Sequence, residues 1–257
     1  MVGPPWQGFL DEIASWRDAG RLVDFWWRDD DACRPDPALV RLVALASSAD
    51  VPLALAVIPA DVEAVAWEPA SSVVTLLQHG VDHRNRAAAG EKKTEFAASE
   101  LLSAALARLV RGRARLEQVA VGGVLPVLVP PWNRISAPQL MAHLAGAGYC
   151  GVSAFGARRA RYAAPGLVMV NTHVDIIDWR GSRGFVGEDL ALGQATRHLQ
   201  ARRTGLADAH ESTGWLTHHA VHDEAAWTFM GRLFERTRAL EGVRWHSAGQ
   251  LFAGTGC

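Results

Sequence analysis

The 257-residue sequence has little cysteine: Cys33, Cys150 and Cys257 are its three, widely spaced and without a CxxC pair. An odd, scattered set does not make a disulfide framework and predicts free thiols in a reducing compartment. Excess charge of either sign is also lacking. With 26 Lys+Arg against 27 Asp+Glu the net charge is −1, which leaves no electrostatic footprint for a nucleic acid. No run reaches the ~20 apolar residues of a membrane span. The N-terminal "MVGPPWQGFLDEIASW" places Asp11 and Glu12 where a signal peptide is apolar. No GxGxxG fingerprint and no glycine-rich P-loop follows any candidate strand. Together these absences predict a soluble cytoplasmic protein with neither a membrane nor a nucleic acid as partner.

What is present is enough apolar material for a sizeable core, 49% of the chain. Short apolar runs predict strands at Leu22–Trp27, Leu53–Ile58, Val73–Gln78, Pro126–Val129, Gly151–Ala154, Leu167–Val170, Trp215–Thr217 and Val243–Trp245. Amphipathic stretches at Pro37–Ser47, Glu95–Val110, Ala137–Ala147, Glu188–Arg203 and Glu224–Leu240 predict helices, with Asp36 and Thr94 as N-caps and Pro37 in a first turn. Alternation of the two kinds implies a mainly parallel sheet covered by helices, and a distorted or incomplete (β/α) barrel of seven strands fits better than an open sheet. No linker interrupts it, so residues 1–257 are expected to form a single domain.

The segment "FWWRDDDA" ends its strand with Asp29, Asp30 and Asp31 in a row. Their mutual repulsion needs compensation, either by solvent and helix capping or by a bound cation. In a parallel barrel the residues just after each strand share one face. Read there, the chain offers the aspartate triplet, "QHGVDHRN", "PPWNR", "NTHVDIIDW" and "HHAVHDE". His79 and His83 are four apart, close enough to meet one ion on a tight turn, and a neighbouring carboxylate would complete a His₂Asp set with open positions. The alternative is two histidines on a polar surface loop.

The order and content of these segments resemble the polysaccharide deacetylase family of metal-dependent amide hydrolases. Its motifs correspond here to "DDA" at Asp30–Ala32, "HGVDH" at His79–His83, "VPPW" at Val129–Trp132, "DW" at Asp178–Trp179 and "LTH" at Leu216–His218, a match running from about Phe25 to Gln250. The resemblance implies that Asp31, His79 and His83 bind a divalent metal, usually zinc. It further implies that Asp30 is the general base, that His218 is the acid protonating the leaving amine, and that Asp178 orients His218. The chemistry agrees, since amide hydrolysis needs an activated water, a cation facing the oxyanion and a proton for a poor leaving group.

The chain departs from the family pattern in four places. Ala32 replaces the glycine after the aspartate pair, and the extra Asp29 leaves the register open by one residue. Gly80 replaces the Ser/Thr of the histidine motif. The arginine that pairs with the base is missing before Pro130, and Arg134, or Arg28 beside the triplet, could supply its charge. "THH" offers His219 beside His218. Trp132, Trp179 and Trp215 either line a sugar-binding cleft or belong to the core. His173 and Asp175 either support the site or form the polar face of a strand. The implied function is an N-deacetylase of an acetylated amino sugar or a small conjugate, with a small molecule or oligosaccharide as substrate. The rival readings are a related amide or cyclic-amide hydrolase with a weakened or absent metal, and a non-catalytic carbohydrate-binding protein.

Overall fold

The computed structural model describes residues 3–62, 72–120 and 123–253. Among the described residues ten strands form one sheet: β1 (Val23–Ala32), β2 (Leu53–Val57), β3 (Val74–His79), β4 (Val127–Val129), β5 (Gly151–Val152), β6 (Tyr162–Ala164), β7 (Leu167–Met169), β8 (Val174–Asp175), β9 (Thr213–Thr217) and β10 (Val243–His246). Their spatial order is β6-β7-β5-β4-β3-β2-β1-β9-β8, with β10 beside the first half of β1. Only β6 and β7 pair antiparallel; the other pairings are parallel. A bridge between Phe155 and Thr172 draws the segment after β5 toward the segment before β8. The result is the incomplete (β/α) barrel that the alternation of elements predicts.

All eight predicted strands are present, within a residue or two at their ends except that β1 runs on five residues past Trp27, through the aspartate triplet to Ala32. The expected count of seven is exceeded because the β6–β7 hairpin adds a short partner and β8 is only two residues long, below what periodicity resolves. Among the described residues seven α-helices cover the sheet: α1 (Pro4–Asp18), α2 (Pro37–Ala49), α3 (Leu102–Val119), α4 (Leu140–His143), α5 (Glu188–Thr204), α6 (Glu224–Thr237) and α7 (Ala248–Phe252). Asp36 caps α2 by accepting from the Leu39 N–H at 2.8 Å, and Pro37 opens the helix, as predicted. Thr94 caps no helix. Its hydroxyl donates to the carbonyls of Phe96 and Arg134, and α3 begins seven residues after Glu95.

The longest strand, β1, is central to the sheet. Its first half pairs with β10, its second with β2, and Phe25–Asp29 with β9. Phe25 and Trp27 are fully buried against aromatic rings of α1, β9, α6 and β10. Such two-sided burial gives the strand its continuous apolar run and holds its C-terminal end rigidly. Trp215, expected as a cleft residue, is wholly buried among Phe9, Phe25 and Phe229. It is core, because alternation along β9 turns it away from the strand-end face. Among the cysteines, Cys33 is a free thiol, whereas Cys150 is disulfide-bonded, which corrects the expectation of free thiols. Cys257 lies outside the described residues. The disulfide removes the cysteine-based reason for expecting a reducing compartment. Among the described residues no helix is long and apolar enough to cross a membrane.

Gly214 in β9 packs closely on its neighbours. A Cβ there would stand 2.3 Å from Trp26 Nε1 and 2.7 Å from the Asn171 carbonyl. Gly214→Ala is expected to destabilise the protein by about 1–3 kcal/mol, the usual cost of overpacking, read as a lower denaturation midpoint at unchanged m-value. An unchanged midpoint would contradict this packing.

Candidate active site

The three aspartates at the end of β1 point in three directions, and each carboxylate meets its own basic partner. Strand alternation puts Arg28 and Asp30 on one side and Asp29 on the other. A one-residue bulge then intervenes, since Asp29 pairs with Leu55 of β2 but Ala32 with Val57. Asp31 takes up the irregularity with φ 69°, in the left-handed region. Bulges of this kind re-aim side chains at sheet edges and active sites.

Asp29 is fully buried. It accepts from His219 Nδ1 at 2.5 Å, from the His219 backbone N–H at 3.0 Å and from the Thr217 hydroxyl at 2.6 Å. Burial alone would raise its pKa, but the charge and hydrogen bond of His219 outweigh burial and hold the carboxyl below its ordinary range. Reciprocally, burial would lower His219, and Asp29 raises it instead.

Asp30 is buried under Arg28, which has no solvent exposure. Arg28 Nε and Nη2 donate to the two carboxylate oxygens at 2.8 and 2.9 Å. The guanidinium also donates to Ser153 Oγ and Asn133 Oδ1, both at 2.6 Å. Arg28 is therefore the cation beside Asp30. Arg134, the other candidate, points elsewhere and donates to the Lys93 carbonyl at 2.7 Å. In "PPWNR" it is Asn133 that reaches the site; Trp132 and Asn133 both adopt φ 54° to make that turn.

Asp31 faces the histidine pair: its Oδ1 lies 3.0 Å from His79 Nε2 and 3.3 Å from His83 Nε2. His79 donates from Nδ1 to the Val129 carbonyl at 3.0 Å, so the neutral ring presents a lone pair at Nε2. Asp31 Oδ1 is buried without a well-directed hydrogen bond. Ligand atoms of all three residues converge within 4.8 Å. Lone pairs facing one another need a proton or a metal ion between them, so the residues present fit a divalent cation. Burial would lower His79, but Asp30 and Asp31 raise it; burial would raise Asp31, but His79, His218 and His83 hold it below the ordinary carboxylate range.

His218 follows β9 and is buried, with Nδ1 unpartnered among the described residues. Asp178 does not orient it. Its carboxylate accepts from the backbone N–H groups of Arg180, Gly181 and Ser182 and so closes its own loop. Asp175, like Asp31, lies near enough for its charge to interact with His218, and it accepts from Trp179 Nε1 at 2.9 Å. Trp179 packs edge-on against the His218 ring at 4.7 Å, and Trp132 lies 4.4 Å from the His83 ring. These two tryptophans flank the site.

A second group, His173, His198 and Glu211, also brings ligand-type atoms within 4.8 Å. The Gly214 N–H donates to His173 Nδ1 at 3.0 Å, which places the ring's own proton on Nε2, the atom facing Glu211 at 3.3 Å. The His173 and His198 rings are stacked at 3.5 Å, so one ion cannot lie in both ring planes. This is buried polar packing.

No protein-family model and no curated protein matches the sequence. Solved structures do match over nearly the whole chain. A deacetylase solved with substrate is 16% identical, with 92% of this chain and 94% of that chain covered at a TM-score of 0.52. A peptidoglycan N-acetylglucosamine deacetylase in complex with 4-naphthalen-1-yl-N-oxidanyl-benzamide is 13% identical, with 93% and 96% covered at 0.54. A family 4 carbohydrate esterase from Streptomyces lividans in complex with acetate is 14% identical, with 87% and 90% covered at 0.52. The chain shares its fold with these deacetylases and this carbohydrate esterase. Within that fold the strand-end face is where the five short motifs meet.

The Asp29–His219 pair gives a pH-dependent expectation. The raised His219 contributes stability that is full below about pH 6.5 and lost as pH rises through its folded value. The depressed Asp29 contributes above about pH 4 and is lost as pH falls through its own. Asp29→Asn is therefore expected to cost about 3–5 kcal/mol, most of it between about pH 4 and 6.5. Urea titrations across that range would show it; a pH-independent loss under about 1 kcal/mol would contradict the buried pair.

Proposed function

We propose that the chain is a metal-dependent hydrolase of a C–N amide bond, an N-deacetylase of an acetylated amino sugar or a small conjugate carrying one, with residues 1–257 acting as a single catalytic domain. The observation that carries this reading is the adjacency of two differently built carboxylates at the end of β1: Asp31 against two imidazole nitrogens, and Asp30 clamped by Arg28. Asp31, His79 and His83 would hold the ion, and their nitrogen and oxygen donors suit zinc with positions left open. When bound, that ion supplies positive charge for a developing oxyanion and makes water easier to deprotonate.

The remaining steps belong to the chain's own side chains. Asp30 takes the proton from the attacking water, and its bidentate contact with Arg28 fixes the direction of its free lone pairs. His218 gives a proton to the departing amine, with Asp175 as a neighbouring carboxylate. Trp132 and Trp179 offer apolar faces on which a sugar ring can stack. The missing family arginine and Ser/Thr motivate the rival enzyme with a weakened or absent metal. Arg28 fills the arginine's gap from within β1, which favours the catalytic reading over that rival, and the retained acid, base and ligand candidates speak against a binding protein without turnover.

Zinc-loaded protein is expected to release acetate from at least one acetylated amino sugar or short oligosaccharide. Asp30→Asn is expected to lower that rate about 100-fold or more while retaining the metal. Arg28→Lys should lower it as well, because an ammonium cannot hold both oxygens, whereas Arg134→Ala should leave it within about twofold. Acetate release at the wild-type rate by Asp30→Asn, or no release by metal-loaded wild type across the panel, would overturn the assignment.

A further inference from the structure

The loop that carries His83 is tied down by a residue outside every motif considered so far. The Glu95 side chain is wholly buried, and its carboxylate accepts from three consecutive backbone amides. The Val81 N–H reaches Oε1 at 3.0 Å and Oε2 at 3.1 Å, the Asp82 N–H reaches Oε1 at 3.4 Å, and the His83 N–H reaches Oε2 at 3.2 Å. Arg108 adds a charged contact to Oε1 at 3.1 Å and is itself held by Glu100 at 2.9 and 3.0 Å.

Gly80 explains why the carboxylate can sit there. A Cβ at Gly80 would stand 2.2 Å from Glu95 Oε2 and 2.6 Å from two atoms of Pro131, and the residue has φ 55°. The glycine that replaces Ser/Thr in the histidine motif thus vacates the space that Glu95 fills. Converging amides make an anion-binding nest, and here the protein supplies the anion from its own chain. The consequence reaches His83 directly, because this residue also sits at φ 51°, a conformation that needs local support.

We infer that Glu95 is a positioning residue for the metal site: its carboxylate holds the 80–83 loop so that His83 Nε2 faces Asp31 before any ion arrives. The inference rests on the metal-dependent reading above, and it concerns ion affinity rather than chemistry. In Glu95→Gln the side chain keeps its shape, but an NH₂ group replaces one acceptor oxygen and the charge is lost. Loss of a residue that orients a ligand typically weakens a metal site about 10–100-fold.

The test is zinc affinity, measured on the full chain by competition with a chromophoric chelator. Glu95→Gln is expected to bind zinc about 10–100-fold more weakly, with far-UV circular dichroism unchanged. Saturating zinc should return most of the turnover, a recovery that a general loss of structure would not give. Glu100→Gln, which removes a partner of Arg108 but leaves the amides alone, should bind within about twofold of wild type. A folded Glu95→Gln with wild-type zinc affinity would overturn the inference.

Hydrogen exchange of metal-free wild type covers the case in which the variant does not fold or the wild type takes up no zinc. The amides of Val81, Asp82 and His83 should then be protected, and exchange at the unfolded-chain rate would overturn the tie. Absence of zinc from the wild type, with those amides protected, would count against the hydrolase reading and leave Glu95 as the anchor of this loop.

Discussion

Three adjacent carboxylates at the end of one buried strand are the constraint on which the site depends. At about 6 Å and an effective dielectric of ~20, each like-charged pair costs about 3 kcal/mol, too much to leave uncompensated in a marginally stable fold. The chain answers by separating the three directions and giving each carboxylate its own partner: His219 for Asp29, Arg28 for Asp30, and His79 with His83 for Asp31. Compensation and geometry are therefore one thing. Alternation splits the first two, and the bulge with its left-handed Asp31 provides the third direction. The partners then fix which carboxylate can do what. A carboxylate locked to a buried imidazole holds structure, one clamped by an arginine is oriented, and the one facing two imidazole nitrogens is the ligand of the proposed ion.

The same economy recurs around the site. β1 carries both Asp30 and the arginine that orients it, two residues apart on one face, so a single rigid strand sets their distance. β9 carries Thr217, whose hydroxyl joins Trp27 to Asp29, and then the two histidines that part company at its end. His219 turns inward to Asp29 and His218 stays at the cleft beside Trp179. The sheet core beneath is built from large aromatics, which keeps these strand ends from shifting relative to one another.

Much of this could be read from the sequence, for identifiable reasons. Strand positions followed from apolar runs, and the barrel followed from their alternation with helices. His79, His83 and an aspartate from the triplet came together because their spacing and strand-end placement constrain where they can go. The departures from expectation share a different cause. Arg28 could not be preferred over Arg134 without knowing that alternation puts it beside Asp30. Asp178 sits next to Trp179 in sequence, yet the turn uses its carboxylate for its own amides and leaves Asp175 by His218. Trp215 looked like a cleft residue until the face of β9 was known. Glu95 read as the start of a helix because its composition suits one, and only the three-dimensional packing of the loop against it reveals that its carboxylate is already engaged. Periodicity reports which elements form; it does not report which side chain a bulge or a tight turn aims at its neighbour.

Anomalous scattering at the zinc edge, from crystals of protein grown with zinc, tests the central arrangement most directly. The account predicts one strong peak about 2.0–2.2 Å from Asp31, His79 and His83, with Asp29 still paired to His219 and Asp30 to Arg28. A peak bound instead by Asp29 or Asp30, or by His173 with Glu211, would contradict the division of roles among the three carboxylates.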